Sequence, residues 1–338
     1  MKKSTTALIV AVCLIVAGIA ILGAAMATSG FNFENMGTDS YDEVTIPIEG
    51  DFMHIVIATD VHDIELYPAE DGISKVVGDE SGGIKIRVEC EGGYLTVKTE
   101  DTRKWFNFIG ISFGRPSLRI YLTETELVSL TAASDTGHIN VPESFSFTGA
   151  SAATDTGAII IRAAISGELA LASDTGSISV SKQKLEKLDS ETSTGNITIE
   201  SVEAVDSVRA KASTGRVELH GIKCHSLNVK TSTGNIVLKN IVAENEVKAE
   251  ASTGKVTLTS CVSDSLEIET STGDVILNAS DAGSIDITTD TGDVEGSLLT
   301  PKIFDTETDT GKVRVPQSGE GGICKIKTDT GDITITID

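Results

Sequence analysis

The chain has 338 residues and a formal net charge of −23, with 40% apolar residues, 4% aromatic residues, 32 glycines and 6 prolines. Such an acid excess excludes the basic stripe that nucleic-acid binding requires and disfavours lying flat on anionic lipid. Few aromatics and many β-branched residues suit thin, regular β-layers better than the core of a globular enzyme.

At the N-terminus, Lys2 and Lys3 precede an uncharged run from Ala7 to Ala27. A run of that length crosses about 30 Å of hydrocarbon as a helix. Lysines before it and acidic residues after it predict an N-terminus inside and a body outside the cytoplasm. Residues 1–27 are therefore read as a single-pass transmembrane helix, which makes the cell membrane the first expected partner. The alternative is a signal peptide cleaved near Ala27, because Ala25-Met26-Ala27 has the small-x-small form that signal peptidase accepts. Residues 28–40 are polar and rich in Gly, Ser and Asn, as a linker is.

Strand-like alternation begins after residue 40. Val44-Ile46-Ile48, Ile55-Ile57, Ile64-Leu66, Ile84-Ile86-Val88 and Leu95-Val97 are separated by Gly-rich turns such as Asp71-Gly72. Residues 41–130 are read as degenerate N-terminal β-coils, since terminal units of an array are atypical where one face meets solvent. Within them, residues 101–116 carry Trp105, Phe106, Phe108 and Phe113. This insert is either a cap folded over the core or an apolar tip for membrane or partner contact.

From residue 131 to 338 the chain repeats [Ser/Asp]-Thr-Gly-x-[Ile/Val] eleven times, on Gly137, Gly157, Gly176, Gly195, Gly215, Gly234, Gly254, Gly273, Gly292, Gly311 and Gly331. The spacing is always 19 or 20 residues. Units that cannot bury an apolar face alone must stack on their neighbours. With Gly at position zero, positions −7 and −5 are mostly apolar, as in Leu227 and Val229, and so are +2 and +4, as in Ile236 and Leu238. Each pair has the period of a strand with one face inward. An odd separation between −5 and +2 would put them on opposite faces of a continuous strand, so the chain must turn at Thr-Gly. The expected fold is all-β: a single-stranded parallel β-solenoid with about 19–20 residues per coil, each strand pairing with its equivalent one coil along about 4.8 Å away. The stretch between +4 and the next −7 is long enough for a second turn and a third short strand.

Few groups in this pattern point to chemistry. Cys13 lies in the apolar run. Cys90, Cys224, Cys261 and Cys324 show no metal-ligand spacing and no disulfide framework, and Cys261 and Cys324 replace Leu, Ile or Val of sister repeats. The histidines (His54, His62, His138, His220 and His225) occupy no repeated position and are read as surface groups. Thr at −1 and often at −3 shares parity with inward −5 and −7, so both are expected to point in and bond the turn, which argues against an ice-matching Thr ladder. Acidic residues crowd the last repeats, and Asp290, Asp293, Asp309, Asp329 and Asp332 are the candidates for a calcium ion, although the nonapeptide calcium repeat is missing. A solvated acidic ridge is the simpler reading. No catalytic set and no cofactor site is expected.

These features together resemble a bacterial β-strand-repeat family of adhesin-like proteins, a domain family of unknown function. The likeness spans about residues 41–338 and rests on the apolar N-terminal run, the opening strands, Ser117-Leu118-Arg119-Ile120-Tyr121-Leu122, Leu130 and the Thr-Gly series. It implies an exported, often membrane-anchored β-solenoid with no catalytic residues to carry over. The expected function is non-enzymatic: an anchored surface scaffold or adhesin-like binding module of the cell envelope, facing an envelope polymer or protein. The alternatives are an envelope-stress sensing or regulatory partner of a membrane protein and, with less support, a polysaccharide-active β-helix enzyme, which would need paired carboxylates in a loop-walled groove.

Overall fold

A computed structural model describes residues 41–81, 83–101 and 115–338. The proposed membrane helix and the aromatics Trp105, Phe106, Phe108 and Phe113 lie outside the described residues. Among the described residues, no helix is long and apolar enough to cross a membrane.

The N-terminal part holds β1 (Asp42–Pro47), β2 (His54–Thr59), β3 (Asp63–Pro68), β4 (Lys75–Glu80), β5 (Ile84–Glu91), β6 (Tyr94–Asp101) and β7 (Ser117–Leu122). The array opens with β8 (Glu126–Ser134), β9 (Ile139–Val141), β10 (Ser146–Thr156), β11 (Ile159–Ile161), β12 (Ala164–Ile165) and β13 (Glu168–Thr175). Six long strands then each run through most of a coil: β14 (Ile178–Thr194), β15 (Ile197–Thr214), β16 (Val217–Thr233), β17 (Ile236–Thr253), β18 (Val256–Thr272) and β19 (Val275–Thr291). The chain ends with β20 (Val294–Leu298), β21 (Lys302–Thr310), β22 (Val313–Arg314), β23 (Gly322–Thr330) and β24 (Ile333–Ile337). All 24 strands belong to one continuous sheet wound into the expected parallel solenoid.

Equivalent residues stack in columns. Leu188, Val208, Leu227, Val247, Leu266 and Ile285 are successive partners at position −7. All are at most 2% exposed. Each such aliphatic side chain contributes about 1.5–3 kcal/mol relative to exposure, against the entropy of ordering the coil. The third short strand also exists, and a second corner introduces it. At position +6, Lys182, Ser201, Gly221, Asn240, Ser260 and Ala279 all take left-handed φ values between 45° and 67°. Inward residues then resume at +7, as in Val202, Ile222 and Ile241. The third corner absorbs the difference between 19- and 20-residue coils: Glu203 and Ser207 pair with Lys223 and Ser226, one residue closer together.

Two features differ from the sequence reading. First, the ends of the solenoid are out of sequence order. β2 pairs with both β6 and β8, and β3 with both β7 and β9, so the coil at 54–68 lies inside the one built from β6 and β7. At the other end β23 lies between β19 and β21, and β24 between β20 and β22. The last coil in sequence is therefore the second to last in space. Second, the region 41–130 is not purely degenerate parallel coils. β5 pairs antiparallel with β6, and β4 pairs antiparallel with both β1 and β7. These strands run across the N-terminal end, because an array must stop its parallel edge with something that is not another coil.

Candidate functional site

The Thr-Gly corner is the most regular polar feature of the molecule. A methyl group added at Gly234 would lie 2.0 Å from the carbonyl oxygen of Gly215, and one at Gly254 would lie 1.8 Å from that of Gly234. Glycine is required here because the carbonyl of the preceding coil fills the space of a Cβ; the φ of 151° at Gly234 adds to the requirement. The same relation places Gly331 over Gly292 and Gly311 over Gly331, which confirms the inverted order at the C-terminal end.

The −3 hydroxyl points inward, as parity predicts. Thr231 Oγ1 donates to the carbonyl of Gly215 at 3.1 Å, Thr192 to that of Gly176 at 3.0 Å, and Thr328 to that of Gly292 at 3.1 Å. The expectation for −1 is corrected: Thr136, Thr156, Thr233, Thr253 and Thr330 are exposed. The chain presents two successive residues outward, at −2 and −1, so alternation breaks before the glycine rather than at it. A single outward threonine per coil on a corner is not the paired Thr-x-Thr face of an ice-matching surface.

Position +1 caps the neighbouring coil. Asn235 Oδ1 accepts the Lys255 N–H at 3.0 Å, and Asn196 Oδ1 accepts that of Arg216 at 2.9 Å. Two of the calcium candidates do the same: Asp293 Oδ1 accepts the Asp332 N–H at 2.8 Å, and Asp332 Oδ1 accepts that of Lys312 at 2.8 Å. Asp290, Asp329 and Asp309 follow one another along the exposed −2 column. Among the described residues, no group of three His, Cys, Asp or Glu side chains is arranged to hold a metal ion.

Other charges pair between coils. Lys184 and Lys223 flank Glu203 at 3.2 and 3.6 Å, and Lys248 reaches Glu267 at 2.7 Å. The Lys230 hydrogen bond holds the Glu250 carboxyl below the usual carboxylate range, against partial burial and with help from Lys248. Among the cysteines, burial pushes the Cys261 thiol up to about 11 and the Cys324 thiol up to about 12, which suits buried hydrophobes and not nucleophiles.

One histidine departs from the surface reading. His62 is 0% exposed, and its Nε2 lies 2.7 Å from the Asp79 carbonyl oxygen. It occupies position zero of an unrecognised repeat: its carbonyl is where the Cβ of Gly137 would fall, and it accepts from Ser134 Oγ at 3.2 Å. The signal was present in Thr59-Asp60-Val61-His62-Asp63-Ile64-Glu65-Leu66, which keeps Thr at −3, Asp at −2 and apolar +2 and +4.

Beside this first corner lies a groove of about 520 Å³, floored by Gly137, Gly157 and Gly176 and flanked by Asp63, Arg115 and His138. His138 Nδ1 lies 2.8 Å from the Ala158 N–H, which leaves the ring proton on Nε2. That nitrogen faces Arg115 Nη1 at 2.8 Å, donor to donor. An acceptor atom bound there would satisfy both groups.

The Toastrack DUF4097 family model matches residues 52–237 and 221–338. No curated protein matches the chain. Among solved structures, a "putative adhesin" from Parabacteroides merdae is 12% identical with a TM-score of 0.42, covering 89% of this chain and 98% of that one. A "putative lipid binding protein" from Parabacteroides distasonis is 16% identical with a TM-score of 0.38, over the same shares of each chain. A "putative adhesin" from Parabacteroides distasonis is 13% identical with a TM-score of 0.38, again over 89% and 98%.

Proposed function

We propose that this chain, which belongs to the Toastrack DUF4097 family, is a non-enzymatic, membrane-anchored, extracytoplasmic β-solenoid that serves the bacterial cell envelope as a surface scaffold or adhesin-like binding module. The observation that carries this reading is how the polar groups of the repeat are committed. The −3 hydroxyls bond corner carbonyls, several +1 side chains cap amides, and the charges pair between coils. Groups held in this way serve the rod and are poorly placed to move protons or attack a substrate. Ligand contact is then left to places where the repeat fails. The groove at the first corner is the best of these, because Arg115 and the His138 ring face each other as donors in an otherwise acidic molecule. An envelope polymer carrying carboxylate or phosphate groups has the complementary chemistry.

The placement is tested with a cysteine introduced at the exposed corner residue Ser252 and a membrane-impermeant maleimide on intact cells. Labelling without lysis is expected; labelling only after lysis contradicts the extracytoplasmic body. A second reading, sensing through a membrane partner, draws on the groove lying in the coils nearest in sequence to the proposed anchor. Photo-crosslinking from Thr136 in intact cells separates the two: wall polymer supports the scaffold, and membrane protein alone supports the sensor.

A further inference from the structure

At the C-terminal end, Lys302 begins β21 and Asp281 belongs to β19. Lys302 is 3% exposed and Asp281 7% exposed; among the described residues, no other lysine and no other aspartate is buried. Lys302 Nζ lies 2.5 Å from Asp281 Oδ1 and 2.6 Å from Thr300 Oγ1. The Ala282 N–H donates to the same Oδ1 at 2.8 Å. The other oxygen, Oδ2, is buried without a hydrogen-bond partner. An ionised carboxylate with one buried, unpaired oxygen is a costly arrangement, even beside a lysine. The pair also ties together strands that share no ladder, because β23 lies between β19 and β21.

We propose that Lys302 and Asp281 form an intramolecular isopeptide bond. A proton passes from the ammonium to Oδ2, leaving a neutral amine beside a neutral carboxylic acid. The Nζ lone pair attacks Cγ, which is one bond from the oxygen it already touches, and the reactive pair is held together by the fold. Charge that develops on Oδ1 is met by the Ala282 N–H. The second Nζ proton passes to the departing oxygen inside the tetrahedral intermediate, where Nζ and Oδ2 are bonded to the same carbon. The Nζ–Cγ bond forms, the Cγ–Oδ2 bond breaks, and Oδ2 leaves with both protons as one water. No oxidant, reductant or activated donor is consumed. The product keeps Oδ1 on its amide donor, removes the unpaired oxygen and removes both buried charges. It also closes a covalent loop around the point where the coil order inverts, locking the terminal coil to β19.

The test is peptide mass mapping of the purified full-length chain after denaturation and trypsin digestion. Cleavage at Lys302 should fail, and residues 256–312 should appear as one peptide lighter than its sequence by the mass of one water. In the Asp281→Ala chain the same digest should give 256–302 and 303–312 separately at their full masses. In the Asp281→Asn chain the joined peptide should have lost ammonia relative to its own sequence. A wild-type chain cleaved at Lys302, or a joined peptide at full mass, overturns the proposal and leaves the pair as a buried salt bridge. This measurement needs no variant to fold, and it is independent of the envelope role proposed above.

Discussion

A carbonyl oxygen decides what can stand at position zero. At Gly234 it belongs to Gly215, and it leaves no room for a methyl group. Gly234→Val should therefore lower stability by about 2–4 kcal/mol, measured by thermal or denaturant unfolding, since overpacking and the left-handed φ act together. Asn235→Val should cost less, about 0.5–1.5 kcal/mol, for the lost cap on the Lys255 N–H. Equal effects would refute the corner. Thr231→Val removes the donor to the Gly215 carbonyl while keeping the shape, and an intermediate loss of about 1–3 kcal/mol is expected for a buried acceptor left unpaired. Glu250 adds a pH signature. Lys230 first, and Lys248 after it, lower its folded pKa, so the native state binds fewer protons there than the unfolded chain does. Its contribution is complete above the unfolded carboxylate value of about 4.3 and is lost as pH falls through the lowered folded value. The difference in melting temperature between wild type and Glu250→Gln should accordingly be largest at neutral pH and vanish in acid.

At the scale of elements, periodicity made the strands and the first corner legible. Leu227, Val229, Ile236 and Leu238 announce two inward strands and a turn between them without help from the structure. The second corner is nearly silent, because Lys182, Ser201, Asn240, Ser260 and Ala279 take left-handed φ with ordinary side chains and only Gly221 advertises it. The order inversions left no trace in the spacing, since the register of a parallel ladder is the same whichever coil comes next. In the structure the C-terminal one shows as exposure of positions that are buried elsewhere. Thr306 occupies the −5 position, and Val313 at +2 is 42% exposed, as suits a coil with solvent on one side. The inversion has a measurable consequence. Ending the chain at residue 321 removes β23 and β24 from the inside of the stack and should leave residues 299–321 open to limited proteolysis. Ending it at 298 removes the inverted unit whole and should leave a more protease-resistant array, because each coil depends mainly on its neighbours. A chain ending at 321 that resists proteolysis as the full chain does would argue against the inverted order.

Across the whole molecule, the repeat accounts for the rod and the exceptions mark where to look for contact. His62 illustrates the difficulty of reading the boundary. Its repeat was present in the sequence, but the missing Thr-Gly hid it, and a histidine in an acidic chain looks like a surface group until its coil is placed. The groove at the first corner could not be read at all, since Asp63, Arg115 and His138 are brought together only when β3, β7 and β9 pair. On the function proposed above, this end binds an acidic envelope polymer without altering it. The most direct test incubates the full-length chain, and its Arg115→Ala variant, with isolated envelope polymer, then measures by mass spectrometry both the chain retained and any soluble fragment released. Retention that falls in the variant, with the polymer left intact, is the predicted result. Released fragments whose formation is abolished by a single Asp→Asn change would contradict it.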